Sequence, residues 1–272
     1  AGAGGVVIRF TKMHGAGNDF VVIDACAEAV SMTPELAARI ADRHRGVGCD
    51  QIMLIEHRQR YGYRIFNADG TSAAQCGNGA RCVARFLHER FGVIGEAIDS
   101  PSGPITPQHR GGERYTISLP APRFAPNEIP FDAEREMVDY AIDVAGETLR
   151  IAALSMGNPH AVLRVDHLAG DIDRLGAALS NLPRFPDRVN VGFVQVLSRD
   201  AIRLRVFERG VGETLACGSG ACAAAIASMR WGNVDSSVFV HLPGGVLEVA
   251  WHGGEVELTG PAAFVFEGEF LS

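Results

Sequence analysis

The 272 residues carry 25 Lys and Arg against 32 Asp and Glu, a formal charge of -7 that gives no attraction to a phosphate backbone and argues against nucleic acid as a partner. Apolar residues make up 47%, enough for a sizeable core, and no apolar run approaches the roughly 20 residues that span a bilayer, so a membrane is not expected either. Six cysteines (26, 49, 76, 82, 217, 222) are too few for a disulfide framework, and their close pairs lack the C-x-x-C spacing of a zinc knuckle. No metal is expected, and a reducing cytoplasm is the expected location.

The opening "AGAGG" reads as a cloning remnant, and no basic region precedes an apolar one as in a secretory signal. β-rich runs follow at 6–10 and 19–24. Thr33 then caps a helix with Pro34 at its first position and Leu36, Ala37, Ile40 and Ala41 on one face. Strands are predicted at 51–56 and 63–66, then a helix over 78–91 stopped by Gly92. A strand at 115–119 leads into the Pro-rich stretch 119–130, a natural linker. Strands at 149–154 and 160–165, a helix at 171–180 and strands at 191–197 and 202–207 come next. The segment 219–231 is apolar nearly all round, which predicts a buried helix. Strands at 237–242, 246–251, 255–260 and 263–268 close the chain.

One motif occurs twice. "RIFNADGTSAAQCGNGARC" starts at Arg64 and "RVFERGVGETLACGSGAC" at Arg205; the two Arg, like Cys76 and Cys217, are 141 positions apart. "GNDFVVID" from Gly17 is echoed by "GNPHAVLRVD" from Gly157, 140 positions on, and Gln51 by Asn190, 139 on. Three motifs in one order at nearly one offset argue for a duplicated domain. The expected organisation is therefore two similar, pseudo-symmetric lobes facing each other across a cleft, each built of strands and few helices.

Each lobe would present a thiol at a helix start, where unpaired N–H groups and the helix dipole favour a thiolate. The N–H groups of Gly77, Asn78, Gly218 and Ser219 would converge on a carboxylate. A Cα between the two sulfurs could lose a proton to one and gain one from the other, inverting without a cofactor. His160 and Glu208, at motif strand ends, are candidates to assist. A lone Cys near a helix start is more often a small buried hydrophobe; the repetition favours function. Cys82 and Cys222 lie deeper in their helices and read as core, and Cys26 and Cys49 as structural. Asn18, Asn67 and Asn158 could simply hold turns.

"FTKMHGAGNDFVVID", "RIFNADGTSAAQCGNGARC", "SMGNPHAV" and "RVFERGVGETLACGSGACAAA" closely resemble the diaminopimelate epimerase family. The resemblance implies PLP-independent interconversion of LL- and meso-diaminopimelate, on the route to lysine and peptidoglycan. It implies Cys76 and Cys217 as the acid–base pair, with His160 activating a thiol. It implies that Gly77, Asn78, Gly218 and Ser219 hold the α-carboxylate and Glu208 the α-ammonium. Asn67, Asn190 and Arg209 would grip the distal end, with Asn18, Gln51 and Asn158 lining the pocket. The resemblance implies an α/β (α+β) fold in which each lobe is a mostly antiparallel, barrel-like sheet around a central helix, and the family pattern returns the last strand to the first lobe, giving lobes of 6–124 plus 263–272 and 125–262. Cys49 stands where a bulkier apolar residue is expected. A proline or hydroxyproline racemase of the same superfamily, a two-lobe amino acid binding protein and a thiol–disulfide redox protein are the alternatives. The assembly is open, a homodimer included.

Overall fold

A computed structural model describes residues 7–26, 30–144, 146–170 and 172–271. Residues 1–6, with the "AGAGG" segment and the predicted first strand residue Val6, lie outside the described residues, as do Asp171 and Ser272. Chain contacts divide the molecule into Ala1–Ile117 with Gly260–Ser272, and Ser118–Thr259. The first unit holds β1 (Val7–Gly15), β2 (Asn18–Asp24), α1 (Pro34–Ala41), β3 (Gln51–His57), β4 (Tyr61–Asn67) and β5 (Ser72–Ala73). It continues with α2 (Gly77–Phe91), β6 (Ile98–Ser100), β7 (Gly103–Ile105) and β8 (Gln108–His109). β9 (Arg114–Leu119) carries the chain into the second unit. That unit holds β10 (Tyr140–Val144), β11 (Glu147–Ser155), β12 (Pro159–Arg164), α3 (Ile172–Ser180), β13 (Asn190–Ser198) and β14 (Ala201–Glu208). β15 (Gly212–Thr214), α4 (Gly218–Arg230), β16 (Ser237–Leu242), β17 (Gly245–Trp251) and β18 (Val256–Pro261) follow, and β19 (Ala263–Leu271) returns to the first unit. The crossings fall inside β9 and β18, a few residues before 124/125 and 262/263.

Within the first unit the strand order is β19-β1-β2-β3-β4-β6-β7, with β5 on β4. Pairs β2–β3 and β4–β6 are parallel; β1–β2, β3–β4 and β6–β7 are antiparallel. The second unit repeats this: β10-β11-β12-β13-β14-β16-β17-β18, with β15 on β14, and β12–β13 and β14–β16 parallel. The parallel pair encloses α1 in one unit and α3 in the other, and α2 and α4 occupy the matching later crossovers. The offset repeat is thus a repeat of topology, strand by strand.

The local chemistry accounts for the elements. Thr33 Oγ1 accepts from the Leu36 N–H at 3.2 Å and opens α1, and Gly92 closes α2 in the left-handed region at φ 69°. Ala16 (φ 53°) and Gly17 (φ 85°) form the two-residue β1–β2 turn, which requires positive φ at both positions. The runs Phe20–Ile23 and Ile52–Ile55 are buried on both faces. Val21, Ile23, Ile52 and Leu54 meet Ile40 of α1, while α2 packs across β1, β2 and β3. α4 has no polar face because it contacts β11 to β14, β16 and β17.

Candidate functional site

In the first unit Cys76 is the N-cap of α2, half-buried, with extended backbone (φ -152°). Its Sγ accepts from the Gly79 N–H at 3.4 Å and lies 3.7 Å from Asn18 Oδ1. That oxygen also accepts from Asn78 Nδ2 at 3.3 Å. Asn78 is buried and its own Oδ1 accepts from Arg81 Nη2 at 2.6 Å. Cys76, Gly77, Asn78 and Asn18 therefore form one cluster at the start of α2. Gln51 and Asn67 lie on adjacent strands in register and join through Gln51 Nε2 to Asn67 Oδ1 at 2.9 Å.

In the second unit Cys217 is the N-cap of α4, buried at 7% exposure. Its Sγ is 3.5 Å from Ser219 Oγ, which accepts from Asn158 Nδ2 at 3.4 Å. Asn158 Oδ1 is 3.0 Å from His160 Nε2. With the amide so oriented, the imidazole must donate from Nε2. Burial, and secondarily the charge of Arg209, push His160 down to about 3, so the ring is neutral. Burial, then the neighbouring Glu208 charge, hold the Cys217 thiol well above its ordinary range, against the pull of Ser219. Thr214 Oγ1 donates to Glu208 Oε1 at 2.6 Å. Asn190 Oδ1 accepts the Arg209 N–H at 3.0 Å, and Arg209 Nη1 donates to the Asp187 carbonyl at 2.7 Å.

Cys49 and Cys82 are buried and pushed up to about 12 chiefly by burial, and Cys26 is raised to about 12 by burial and then by Asp24. These thiols are inert at neutral pH. Cys222 is buried inside α4. Among the described residues no three His, Cys, Asp or Glu side chains cluster as metal ligands, and no helix is long and apolar enough to cross a membrane.

Sequence reasoning missed the polar support behind these clusters. Asp50 Oδ2 accepts from Asn18 Nδ2 at 2.7 Å and from the Asp19 N–H at 3.1 Å. Arg43 bridges Asp50 and Asp19, and Lys12 donates to Asp19 at 2.5 Å and to the Gly48 carbonyl. Burial alone would raise the Asp19 carboxyl; Arg43 and Lys12 outweigh it and hold the group well below the usual range. The available signal was the set of charges Lys12, Asp19, Arg43 and Asp50 in and around "GND" and "CDQ".

The sequence profile described as "Diaminopimelate epimerase" matches residues 10–114 and 152–265. The diaminopimelate epimerase of Azotobacter vinelandii is 49% identical over 273 residues, covering 97% of this chain and 99% of that one. That of Xanthomonas euvesicatoria is 52% identical over 273 residues, with 97% and 96% covered. Among solved structures, a probable proline racemase from Agrobacterium radiobacter K84 shares the fold at TM-score 0.69 and 16% identity, covering 96% of this chain and 92% of that one. A hydroxyproline epimerase from Agrobacterium vitis does so at 0.68 and 16%, covering 97% and 90%. A PhzF-family phenazine biosynthesis protein from Bacillus anthracis does so at 0.69 and 19%, covering 98% and 100%. With both thiol-capped helices inside the matched segments, the chain belongs to the diaminopimelate epimerase family.

Proposed function

We propose that this chain interconverts LL- and meso-diaminopimelate by inverting one α-carbon, with Cys76 and Cys217 as the two acid–base groups and no cofactor in the proton transfer. The observation that carries the reading is the pair of thiols at the N-caps of α2 and α4, one in each topological repeat. In this reading one sulfur serves each face of the carbon. The sulfur that accepts a proton becomes the donor for the reverse reaction. The N–H groups of Gly77, Asn78, Gly218 and Ser219 hold the α-carboxylate, where charge builds as the Cα–H bond breaks.

Glu208 takes the α-ammonium. An ammonium on Glu208 offsets the charge that disfavours a Cys217 thiolate, so substrate binding eases ionisation of that sulfur. His160, neutral and donating, fixes Asn158, which fixes Ser219 beside Cys217. Asn67, Asn190 and Arg209 hold the distal amino acid end, with Asn18, Gln51 and Asn158 alongside; a guanidinium suits the distal carboxylate. A cytoplasmic location keeps both thiols reduced.

The test is incubation with LL-diaminopimelate, proline and hydroxyproline separately in D2O under reducing conditions. α-Deuterium in diaminopimelate alone is expected. None in diaminopimelate rejects the assignment, and exchange into proline instead supports the racemase alternative.

A further inference from the structure

We propose that Asp50 and Arg81 are positioning residues that clamp the Asn78–Asn18 amide pair from its two ends, so that Cys76 always meets an oxygen of Asn18. The hydrogen bonds run in one direction. Arg81 Nη2 donates to Asn78 Oδ1 at 2.6 Å, Asn78 Nδ2 to Asn18 Oδ1 at 3.3 Å, and Asn18 Nδ2 to Asp50 Oδ2 at 2.7 Å. A guanidinium can only donate and a carboxylate can only accept, so the charges fix which way both amides point.

Arg81 is fully buried, and its other end, Nη1, donates to the Gly77 carbonyl at 3.4 Å. A side chain at Gly15 would meet Arg81 Nη2 at 3.4 Å and the Asn78 carbonyl at 3.2 Å, so the glycine makes the space this contact occupies. At the far end Arg43 Nη2 braces Asp50 Oδ1 at 2.7 Å.

For the sulfur the consequence is a balance. The Gly79 N–H at 3.4 Å favours the thiolate, and Asn18 Oδ1 at 3.7 Å favours the thiol. A sulfur that must both give and take a proton needs both. Burial raises the Tyr63 hydroxyl of β4 and the Cys82 thiol of α2, so both stay neutral beside Cys76. The charged groups of the cluster are Arg81 on α2, Asp19 on β2, Lys12 on β1, and Arg43 and Asp50 beyond α1. The clamp is neither a substrate contact nor a proton carrier.

The experiment measures the rate of iodoacetamide labelling of the Cys76 peptide against pH, by mass spectrometry, without substrate. In Asp50→Asn the acceptor-only end is lost and Asn18 keeps only the 3.3 Å bond from Asn78 Nδ2, so its amide turns its N–H2 toward the sulfur in part of the population and the labelling midpoint drops by up to about one pH unit, a tenfold change. In an Asn18→Asp background the same substitution gives no downward shift, because residue 18 has no N–H2 to turn. An unshifted midpoint in Asp50→Asn, or an equal drop in both backgrounds, overturns the clamp. Asp50→Ser replaces Asp50→Asn if the latter does not fold. The inference takes Cys76 as a reacting thiol, but the readout needs no turnover. Unshifted labelling with turnover lost in Cys76→Ala removes only the clamp; shifted labelling with turnover kept removes only the reaction.

Discussion

His160→Gln separates a positioning histidine from a proton-transferring one. His160 is 1% exposed and its folded pKa falls from 6.5 to about 3, first through burial and then through Arg209. Below the unfolded value the unfolded chain binds a proton that the folded chain refuses. The associated stability is complete above about pH 6.5, declines as pH falls, and is gone once pH passes the folded value. Each unit is about 1.4 kcal/mol, and the unfolded ring is already half protonated at about pH 6.5, so acidifying from there to about pH 4.5 costs about 2 kcal/mol through this ring alone. Gln does not titrate, and its Nε2 can still donate to Asn158 Oδ1. Urea unfolding at both pH values should show the wild type losing about 2 kcal/mol more than His160→Gln. Equal losses would refute the buried neutral ring. Proton exchange should persist in His160→Gln at reduced rate and fall further in His160→Leu, which offers no donor. If Gln and Leu are equally inactive, the ring itself moves the proton.

Gly79→Ala places a methyl 2.0 Å from Met53 Cε and 3.2 Å from Phe20 Cε1, both buried, so overpacking of about 1–3 kcal/mol should outweigh the helix gain of Ala, read as a lower urea midpoint. Glu208→Gln removes one cause of the raised Cys217 thiol, so alkylation of Cys217 in the free enzyme should quicken at fixed pH while turnover falls; slower labelling would contradict the Glu208 effect. Cys49 and Cys82, raised to about 12, should stay unlabelled by iodoacetamide in the folded protein at about pH 8. Their thiolates form more readily in the unfolded chain, so stability should decline as pH rises from about 9 toward 12, seen as a falling melting temperature that Cys82→Ala lessens.

The repeat was the most legible feature of the sequence. Its offset near 140 reappears as matched strand orders, matched parallel pairs and matched thiol caps, because a duplicated domain keeps its register. α2 and α4 begin one residue earlier than expected, at Gly77 and Gly218, since the cysteines themselves are the caps. The strands that went unforeseen, β5 to β8, β10 and β15, are five residues or shorter, and period-2 alternation needs more length to stand out. β10 does alternate, but only over its five residues, Tyr140–Val144. Asn18 and Asn158 were legible as turn residues next to Gly17 and Gly157. Their partners were not: Asp50 is 32 positions from Asn18, and Ser219 is 61 from Asn158. Long-range polar pairing leaves no periodic trace in a chain, so the two amides read as alike although one leans on a carboxylate and the other on an imidazole.

The most direct measurement is early-time deuterium placement with LL-diaminopimelate in D2O under reducing conditions. Two sulfurs that each keep their own proton predict that the first product formed carries deuterium at Cα while unreacted substrate does not. Deuterium appearing equally in recovered substrate and in product, or undiminished epimerisation by Cys76→Ala or Cys217→Ala, would contradict it.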